Sequence, residues 1–145
     1  LNIPSNELVV VISNCLDNAI NASLKLKDNR SVTFIFLNNN GRLILQIKNK
    51  YDGNISFDTN NLPTNDNEEH GFGTKSIELF AKRNNITLDY SVTKTTFEIT
   101  LLFNEFLIEN QTGVEYKFIP GKDHSWYTWA EEVFKVYEYL KNKIN

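Results

Sequence analysis

One amphipathic helix, predicted over residues 7–27, constrains the fold of this chain more than any other stretch. Ser5 is a suitable N-cap for it, Glu7 lies in the first turn, and Asp28-Asn29 ends the pattern. Apolar residues recur in it at steps of three and four, which places them on one helix face. These residues are Leu8, Ile12, Cys15, Leu16, Ala19, Ile20 and Leu24. A continuous apolar stripe of this kind requires a sheet or another helix to cover it.

A second, polar stripe runs along the same helix. Asn14, Asn18, Asn21 and Lys25 follow the i, i+4, i+7, i+11 rule and therefore share a face. Asparagine is a poor residue for a helix interior because its side chain competes for backbone hydrogen bonds. Each one costs roughly half a kcal/mol relative to alanine. We therefore expect some role on this face that compensates for the cost.

Composition restricts the class of protein. A chain of 145 residues with 41% hydrophobic and 23% charged residues is typical of a soluble domain, or of one domain plus an appendage. A net charge of −3 without a long basic block argues against non-specific nucleic-acid binding. The single cysteine, Cys15, lies on the apolar stripe and is predicted to be a buried, reduced thiol.

Targeting signals are not evident in the sequence. No apolar run approaches the roughly 20 residues that cross a membrane, and no stretch resembles the apolar core of a signal peptide. The chain contains no methionine, even at position 1, so we expect a processed product or a piece of a longer protein. Whether such a parent protein contains membrane spans is left open by this sequence.

The remaining pattern predicts two pairs of strands. Residues 31–37 and 42–48 flank Asn38-Asn39-Asn40-Gly41, which is a strong hairpin signal. Residues 86–91 and 95–103 form the second pair; in the latter strand, Phe97, Ile99, Leu101 and Phe103 alternate with Glu98 and Thr100. Together with the helices, this order predicts an α+β fold: a two-layer α/β sandwich with a mixed, mostly antiparallel sheet and helices on one face.

A polar stretch and a glycine motif separate the two strand pairs. Residues 49–69 are rich in Asn and Asp and predict a long loop, either a functional lid or a surface insertion. The segment from His70 to Ser76 predicts a Gly-x-Gly turn that enters a helix over residues 77–84. Backbone N–H groups at such a helix start have no partner inside the helix and bind phosphate readily, although the motif alone is a weak signal.

The last part of the chain, residues 105–145, predicts an appendage to a domain of residues 1–104. Residues 114–119 form a short strand candidate, and residues 126–144 form a helix candidate with an aromatic stripe. A stripe of this kind is usually part of a core or a docking face. Residues 113–141 are also similar to the C-terminal end of α/β-hydrolase esterases, with His124 at the position of the triad histidine. The sequence contains no Gly-x-Ser-x-Gly nucleophile motif, so a chance match, a composite chain and a segment retained for packing stay open.

The Asn-striped helix, the polar lid and the Gly-x-Gly motif together resemble the GHKL superfamily of ATPases, which share the Bergerat nucleotide-binding fold. Within it, the chain looks most like the ATP-binding catalytic domain of sensor histidine kinases, in particular the peptide-pheromone quorum-sensing receptors. Residues 7–23 resemble the N box, residues 43–53 stand at the first glycine box, residues 70–77 resemble the second, and residues 95–103 match the closing strand. The resemblance covers residues 1–104.

This resemblance implies a site for ATP and Mg²⁺. Asn18 would ligate Mg²⁺, since a side-chain amide oxygen is a hard neutral donor, and Asn14 would be the catalytic position beside the phosphates. Asn21 and Lys25 are further candidates for cofactor binding, although a solvated lysine is the alternative for Lys25. The lid side of the triphosphate would be held by Gly71, Phe72, Gly73, Thr74 and Lys75.

The resemblance also implies a pocket for the base. Asn49 takes the place of the aspartate that usually reads the adenine amino group; an asparagine can both donate and accept, which weakens the case for strict adenine selectivity. Gly53 would let the backbone approach the base, and Thr96 would close the adenine pocket from the last strand.

The implied activity is phosphoryl transfer. Asn14 replaces a glutamate that serves as general base in other GHKL ATPases, and an amide cannot take a proton, so transfer is expected rather than hydrolysis. The implied partners are a phosphoacceptor histidine domain upstream of Leu1 and, indirectly, a response regulator. The parent would be a membrane-bound homodimer with this domain in the cytoplasm. The alternative is a degenerate GHKL nucleotide-binding or interaction module without kinase activity.

Overall fold

A computed structural model describes residues 5–39, 42–57, 59, 63–64, 68–107 and 114–119. The helices are α1 (Ser5–Leu24) and α2 (Glu68–Arg83). The strands are β1 (Val32–Asn39), β2 (Arg42–Lys50), β3 (Ser56–Phe57), β4 (Pro63–Thr64), β5 (Ile86–Val92), β6 (Thr96–Leu107) and β7 (Val114–Phe118). Five strands form one sheet in the order β5-β6-β2-β1-β7, with every pairing antiparallel, and β3 pairs with β4 separately.

Both helices pack on the same face of the sheet. α1 contacts β1 and β2, α2 contacts β5, and the two helices contact each other. Glu7 in the first turn of α1 also pairs with Arg83 in the last turn of α2, where each charge complements its helix dipole. The two layers enclose one apolar core, which contains Leu8, Val11, Ile12, Cys15, Leu16, Ala19, Val32, Phe34, Leu43, Leu45, Ile47, Ile77, Phe80, Ala81, Ile86, Ile99, Leu101 and Phe103. The predicted two-layer α+β fold is confirmed.

The end of α1 is earlier than the periodicity predicts. The helix stops at Leu24 because Arg30 folds back onto it, donating from its guanidinium to the carbonyls of Leu24 at 3.1 Å and Leu26 at 2.6 Å. These bonds satisfy carbonyl groups that have no partner inside the helix. The Ser31 N–H donates to Ser23 Oγ at 3.0 Å, so the chain returns from α1 directly into β1.

Strand alternation determines which side chains face the helices. In β2, Leu43, Leu45, Ile47 and Asn49 are all buried, whereas Lys48 between them is exposed. Asn39 pairs with Arg42 at the end of the β1–β2 hairpin, and residues 40–41 lie outside the described residues. The structure therefore confirms the hairpin and the inward face that the period-2 pattern of the sequence predicts.

α2 starts much earlier than residue 77. It begins at Glu68, so the backbone of Gly71, Gly73 and Thr74 is helical, and the predicted Gly-x-Gly turn is wrong. Two glycines disfavour a helix by roughly 1 kcal/mol each. The helix nevertheless continues through both glycines.

The C-terminal region contributes a strand to the sheet. β7 pairs antiparallel with β1, matching Val32 with Phe118, and β6 extends to Leu107, past the predicted domain boundary at residue 104. The predicted helix over residues 126–144 and His124 both lie outside the described residues. Neither helix in the described ranges is long and apolar enough to cross a membrane.

Candidate functional site

A cleft opens between α1 and the sheet. It encloses about 870 Å³, a volume that includes the open solvent at its mouth. α1 forms one wall, the chain from β2 to β3 forms another, and β5, β6 and α2 complete it. The lining residues are Cys15, Asn18, Ala19, Asn21, Ala22, Lys25, Ile47, Asn49, Tyr51, Asp52, Asn54, Ile55, Ile77, Tyr90, Phe97 and Ile99.

Four of the predicted site residues meet in this cleft. Asn18, Asn21 and Lys25 line it from α1, and Asn49 lines it from the end of β2. Asn14 is half-buried one turn before Asn18 and is not among the lining residues. The polar stripe of α1 therefore faces a cavity over its C-terminal half.

Asn49 is a polar residue in an otherwise apolar layer. Its side chain is 2% exposed, and its Nδ2 donates to the Lys50 carbonyl at 3.3 Å. This bond uses one of the two N–H donors of the amide and orients it so that Oδ1 is the candidate acceptor for a ligand. The amide can thus perform the accepting role that the resemblance gives to an aspartate.

Thr96 lies on the opposite face of the sheet from the cleft, which corrects its predicted place in the adenine pocket. Its Oγ1 accepts a hydrogen bond from Lys50 Nζ at 3.2 Å. Phe97, the next residue of β6, faces the cleft and pairs across the sheet with Asn49. Adjacent residues of a strand point to opposite faces, so Phe97 takes the position that Thr96 was predicted to hold.

Gly53 does approach another segment closely, but that segment belongs to the same chain. Its φ is +84°, and a Cβ added there would lie 2.9 Å from the Lys94 carbonyl oxygen. The neighbouring Tyr51 is fixed to the same turn: its N–H donates to the Thr95 carbonyl at 3.1 Å and its hydroxyl to the Thr93 carbonyl at 2.6 Å. The wall of the cleft after β2 is therefore held by the β5–β6 turn.

The Gly53→Ala variant is expected to be less stable by about 1–3 kcal/mol, because alanine disfavours a positive φ and its Cβ would collide with the Lys94 carbonyl. Chemical denaturation monitored by circular dichroism measures this loss. Lys94→Ala is the matched control, since it removes an exposed side chain and leaves the carbonyl in place. Equal unfolding free energies for the two variants would contradict the packing described here.

The phosphate-binding half of the prediction is not realised by the backbone of α2. In a helix that begins at Glu68, the N–H groups of Gly73 and Thr74 lie beyond the first turn and bond within the helix. The side chains of Phe72 and Thr74 lie outside the described set, and Lys75 is exposed on α2. Contact between these N–H groups and a phosphate would require the first turns of α2 to unwind.

Cys15 contributes a thiol to the inner end of the cleft. Burial raises the pKa of this thiol from 9.0 to about 12, because desolvation disfavours the thiolate. The reactive form of a cysteine is the thiolate, so Cys15 is chemically quiet in the folded protein at neutral pH. The predicted burial of Cys15 is confirmed.

This burial predicts a slow thiol reaction. At pH 8, a disulfide reagent such as DTNB should modify the folded chain at least about 100-fold more slowly than the urea-unfolded chain, since both burial and the raised pKa suppress attack. Rapid modification under native conditions would show that Cys15 is accessible.

The raised pKa of Cys15 also predicts that the free energy of unfolding falls as the pH rises from about 9 towards 12, where only the unfolded thiol ionises.

Three aromatic residues in the cleft were not identified from the sequence. The ring of Phe97 lies 6.3 Å from that of Tyr51 and 5.7 Å from that of Tyr90, measured between centroids. The alternation in β6 already placed Phe97 with the buried Ile99, so the sequence contained a signal for Phe97.

Within the described ranges, no cluster of three or more His, Cys, Asp or Glu side chains could hold a metal ion.

Comparison with known families gives a match over more than half of the chain. A family model described as "GHKL domain" matches residues 4–104. The search of curated proteins finds no match. The matched span contains every residue that lines the cleft.

Proposed function

This chain belongs to the GHKL family, and from that premise we propose that it is the ATP-binding catalytic domain of a sensor histidine kinase. The observation that carries the proposal is the composition of the cleft. It joins Asn18 on α1 to the buried amide of Asn49 on β2, with apolar side chains lining the same space. A cleft that combines apolar side chains with a few polar groups suits a nucleotide.

The base would occupy the Asn49 side of the cleft. Asn49 Oδ1 is available to accept a hydrogen bond from an exocyclic amino group, since Nδ2 is bonded to Lys50. Ile47, Ile99 and Phe97 offer apolar surface for a planar ring. The fixed orientation of the amide favours adenine, which presents an amino group, over guanine, which presents a carbonyl oxygen at the equivalent position.

The phosphates would lie towards α1. Mg²⁺ is normally held by one or two protein oxygens together with substrate phosphates and water, so a cluster of carboxylates is not needed. The Asn18 amide fits one such ligand, and Lys25 adds a positive charge that can contact a phosphate. When bound, the metal ion would neutralise the charge of the phosphates.

The asparagine at position 14 favours phosphoryl transfer over ATP hydrolysis. An amide can orient a water molecule but cannot remove its proton. Phosphoryl transfer requires chiefly positioning and charge neutralisation, which α1 can supply to an incoming histidine. This histidine would belong to a domain upstream of Leu1; the response regulator, the dimeric membrane-bound parent and the quorum-sensing role are carried by resemblance alone.

Isothermal calorimetry with a non-hydrolysable ATP analogue tests the binding step. We expect a dissociation constant between about 1 μM and 1 mM in the presence of Mg²⁺, weaker binding after addition of EDTA, and a preference for adenine over guanine nucleotides. The absence of binding heat from protein with a native circular dichroism spectrum would contradict the proposal.

Phosphoryl transfer needs a separate assay with the longer parent protein. With γ-labelled ATP, that protein should acquire a label that is acid-labile and base-stable, which are the properties of phosphohistidine.

The helical state of Gly73 and Thr74 favours a second candidate function, a module that binds nucleotide without kinase activity, because it withholds N–H groups from the phosphates. Nucleotide binding without labelling would support that second candidate.

A further inference from the structure

The hydroxyl of Tyr90 is a buried polar atom that has no hydrogen-bond partner within the described structure. Tyr90 lies on the edge strand β5, opposite Ile99 of β6, and its side chain lines the cleft. The other tyrosine in the cleft differs, since the Tyr51 hydroxyl donates to the Thr93 carbonyl. Only one of these two hydroxyls is therefore satisfied by the fold itself.

An unpartnered buried hydroxyl is unfavourable for folding. Buried polar groups in native proteins are almost always paired, and an exception calls for a reason such as a functional role or a bound water. Phenylalanine would fill the same volume without this cost. The hydroxyl at this position therefore calls for an explanation, and a ligand in the cleft offers one.

The Tyr90 hydroxyl is also held in its protonated form. Burial raises its pKa, and the nearby Cys15 and Glu78 raise it further. At neutral pH it can therefore donate a hydrogen bond to an acceptor in the cleft once ligand binding brings the two atoms into contact, since the hydroxyl oxygen itself is buried in the ligand-free fold. β6 separates β5 from β2, which places Tyr90 about 10 Å from the strand of Asn49, a gap that a purine ring and a tyrosine side chain can span.

We propose that Tyr90 is a specificity-determining residue, whose hydroxyl donates to an acceptor nitrogen of the heteroaromatic ring bound beside Asn49. This inference rests on the proposed nucleotide-binding function. Asn49 would accept from the exocyclic amino group while Tyr90 donates to the ring, so the two residues recognise a base through opposite hydrogen-bond roles. A ring that carries CH or N–H at the contacted position would lose this bond.

The Tyr90→Phe variant tests the proposal through two quantities expected to move in opposite directions. Without ligand, its unfolding midpoint should equal or exceed that of the wild type, because the unpartnered hydroxyl is gone. Its affinity for the ATP analogue with Mg²⁺ should fall about tenfold, the effect of losing one hydrogen bond of about 1.4 kcal/mol. Tyr51→Phe provides the contrast, since loss of its bond to Thr93 should lower the midpoint.

Deaza analogues of ATP locate the contact. Replacing the contacted ring nitrogen by CH should weaken binding to the wild type about tenfold and leave binding to Tyr90→Phe nearly unchanged. Equal weakening of both proteins by every deaza analogue would overturn the ring contact. Wild-type affinity in Tyr90→Phe, or a clearly lowered midpoint, would overturn the inference while the proposed function stands. Failure of the wild type to bind any nucleotide would overturn the proposed function and this inference with it.

Discussion

Replacing Asn18 with alanine is expected to abolish the magnesium dependence of nucleotide binding and to weaken binding in Mg²⁺ about 100-fold. The physical reason is that Asn18 lines the cleft from α1 and that its amide oxygen is the ligand to which we assign the metal. Loss of a ligand from a site with few protein ligands removes a large share of the metal affinity. Calorimetric titration in Mg²⁺ and in EDTA measures both quantities.

Two further variants separate the metal from the helix. Asn18→Asp retains a ligand oxygen and should preserve binding that depends on Mg²⁺. Leu24→Ala alters a partly exposed residue of the same helix outside the cleft and should bind as the wild type does. If Asn18→Ala binds the nucleotide with unchanged affinity and an unchanged response to EDTA, the assigned role is wrong.

The Phe80→Ala variant is expected to lose about 3–5 kcal/mol of unfolding free energy, the largest stability effect that we predict. Phe80 is completely buried where α2 packs on the core. Truncation removes the transfer free energy of the ring and leaves a cavity that the surroundings fill only in part. A loss of this size is a large fraction of the stability of an ordinary domain.

The adjacent residue supplies a matched control. Leu79 precedes Phe80 on α2, yet it is 51% exposed. Leu79→Ala should therefore change the unfolding free energy by no more than about 0.5 kcal/mol. Urea denaturation of both variants decides the matter, and a loss in Leu79→Ala as large as that in Phe80→Ala would show that α2 packs through a different face.

The fold was predictable where periodicity is strong. The apolar stripe of α1 and the alternation of Leu43, Leu45 and Ile47 each fix a buried face. The hairpin signal fixed the pairing of β1 with β2. These features depend on local spacing, which a sequence displays directly.

Two predictions made from the sequence, the place of Thr96 and the start of α2, differ from the structure for different physical reasons. Thr96 was assigned to the pocket by resemblance, although the alternation of β6 places it on the face opposite Phe97. The start of α2 was placed too late because Gly71 and Gly73 suggested a turn, whereas the structure continues the helix through both. In the first case the strand period was the better guide; in the second, low helix propensity was overridden by context.

The site could be predicted only in part. Asn18, Asn21, Lys25 and Asn49 share a cleft. The residues on α1 were identifiable because asparagine, a poor residue for a helix interior, recurs at helical spacing on one face. Tyr90 was not identifiable, since its significance depends on a hydroxyl that is buried without a partner. No sequence pattern distinguishes such a hydroxyl from a satisfied one.

Chemical-shift mapping during titration with an ATP analogue and Mg²⁺ tests the central claim most directly. We predict that the largest shifts occur at the amides of Asn18, Asn49 and Phe97, which line the cleft. Thr100, on the other face of the sheet beside Gln46, should barely shift. Saturable shifts confined to the cleft would establish it as the nucleotide site, whereas no shifts, or shifts centred on the opposite face, would contradict the account.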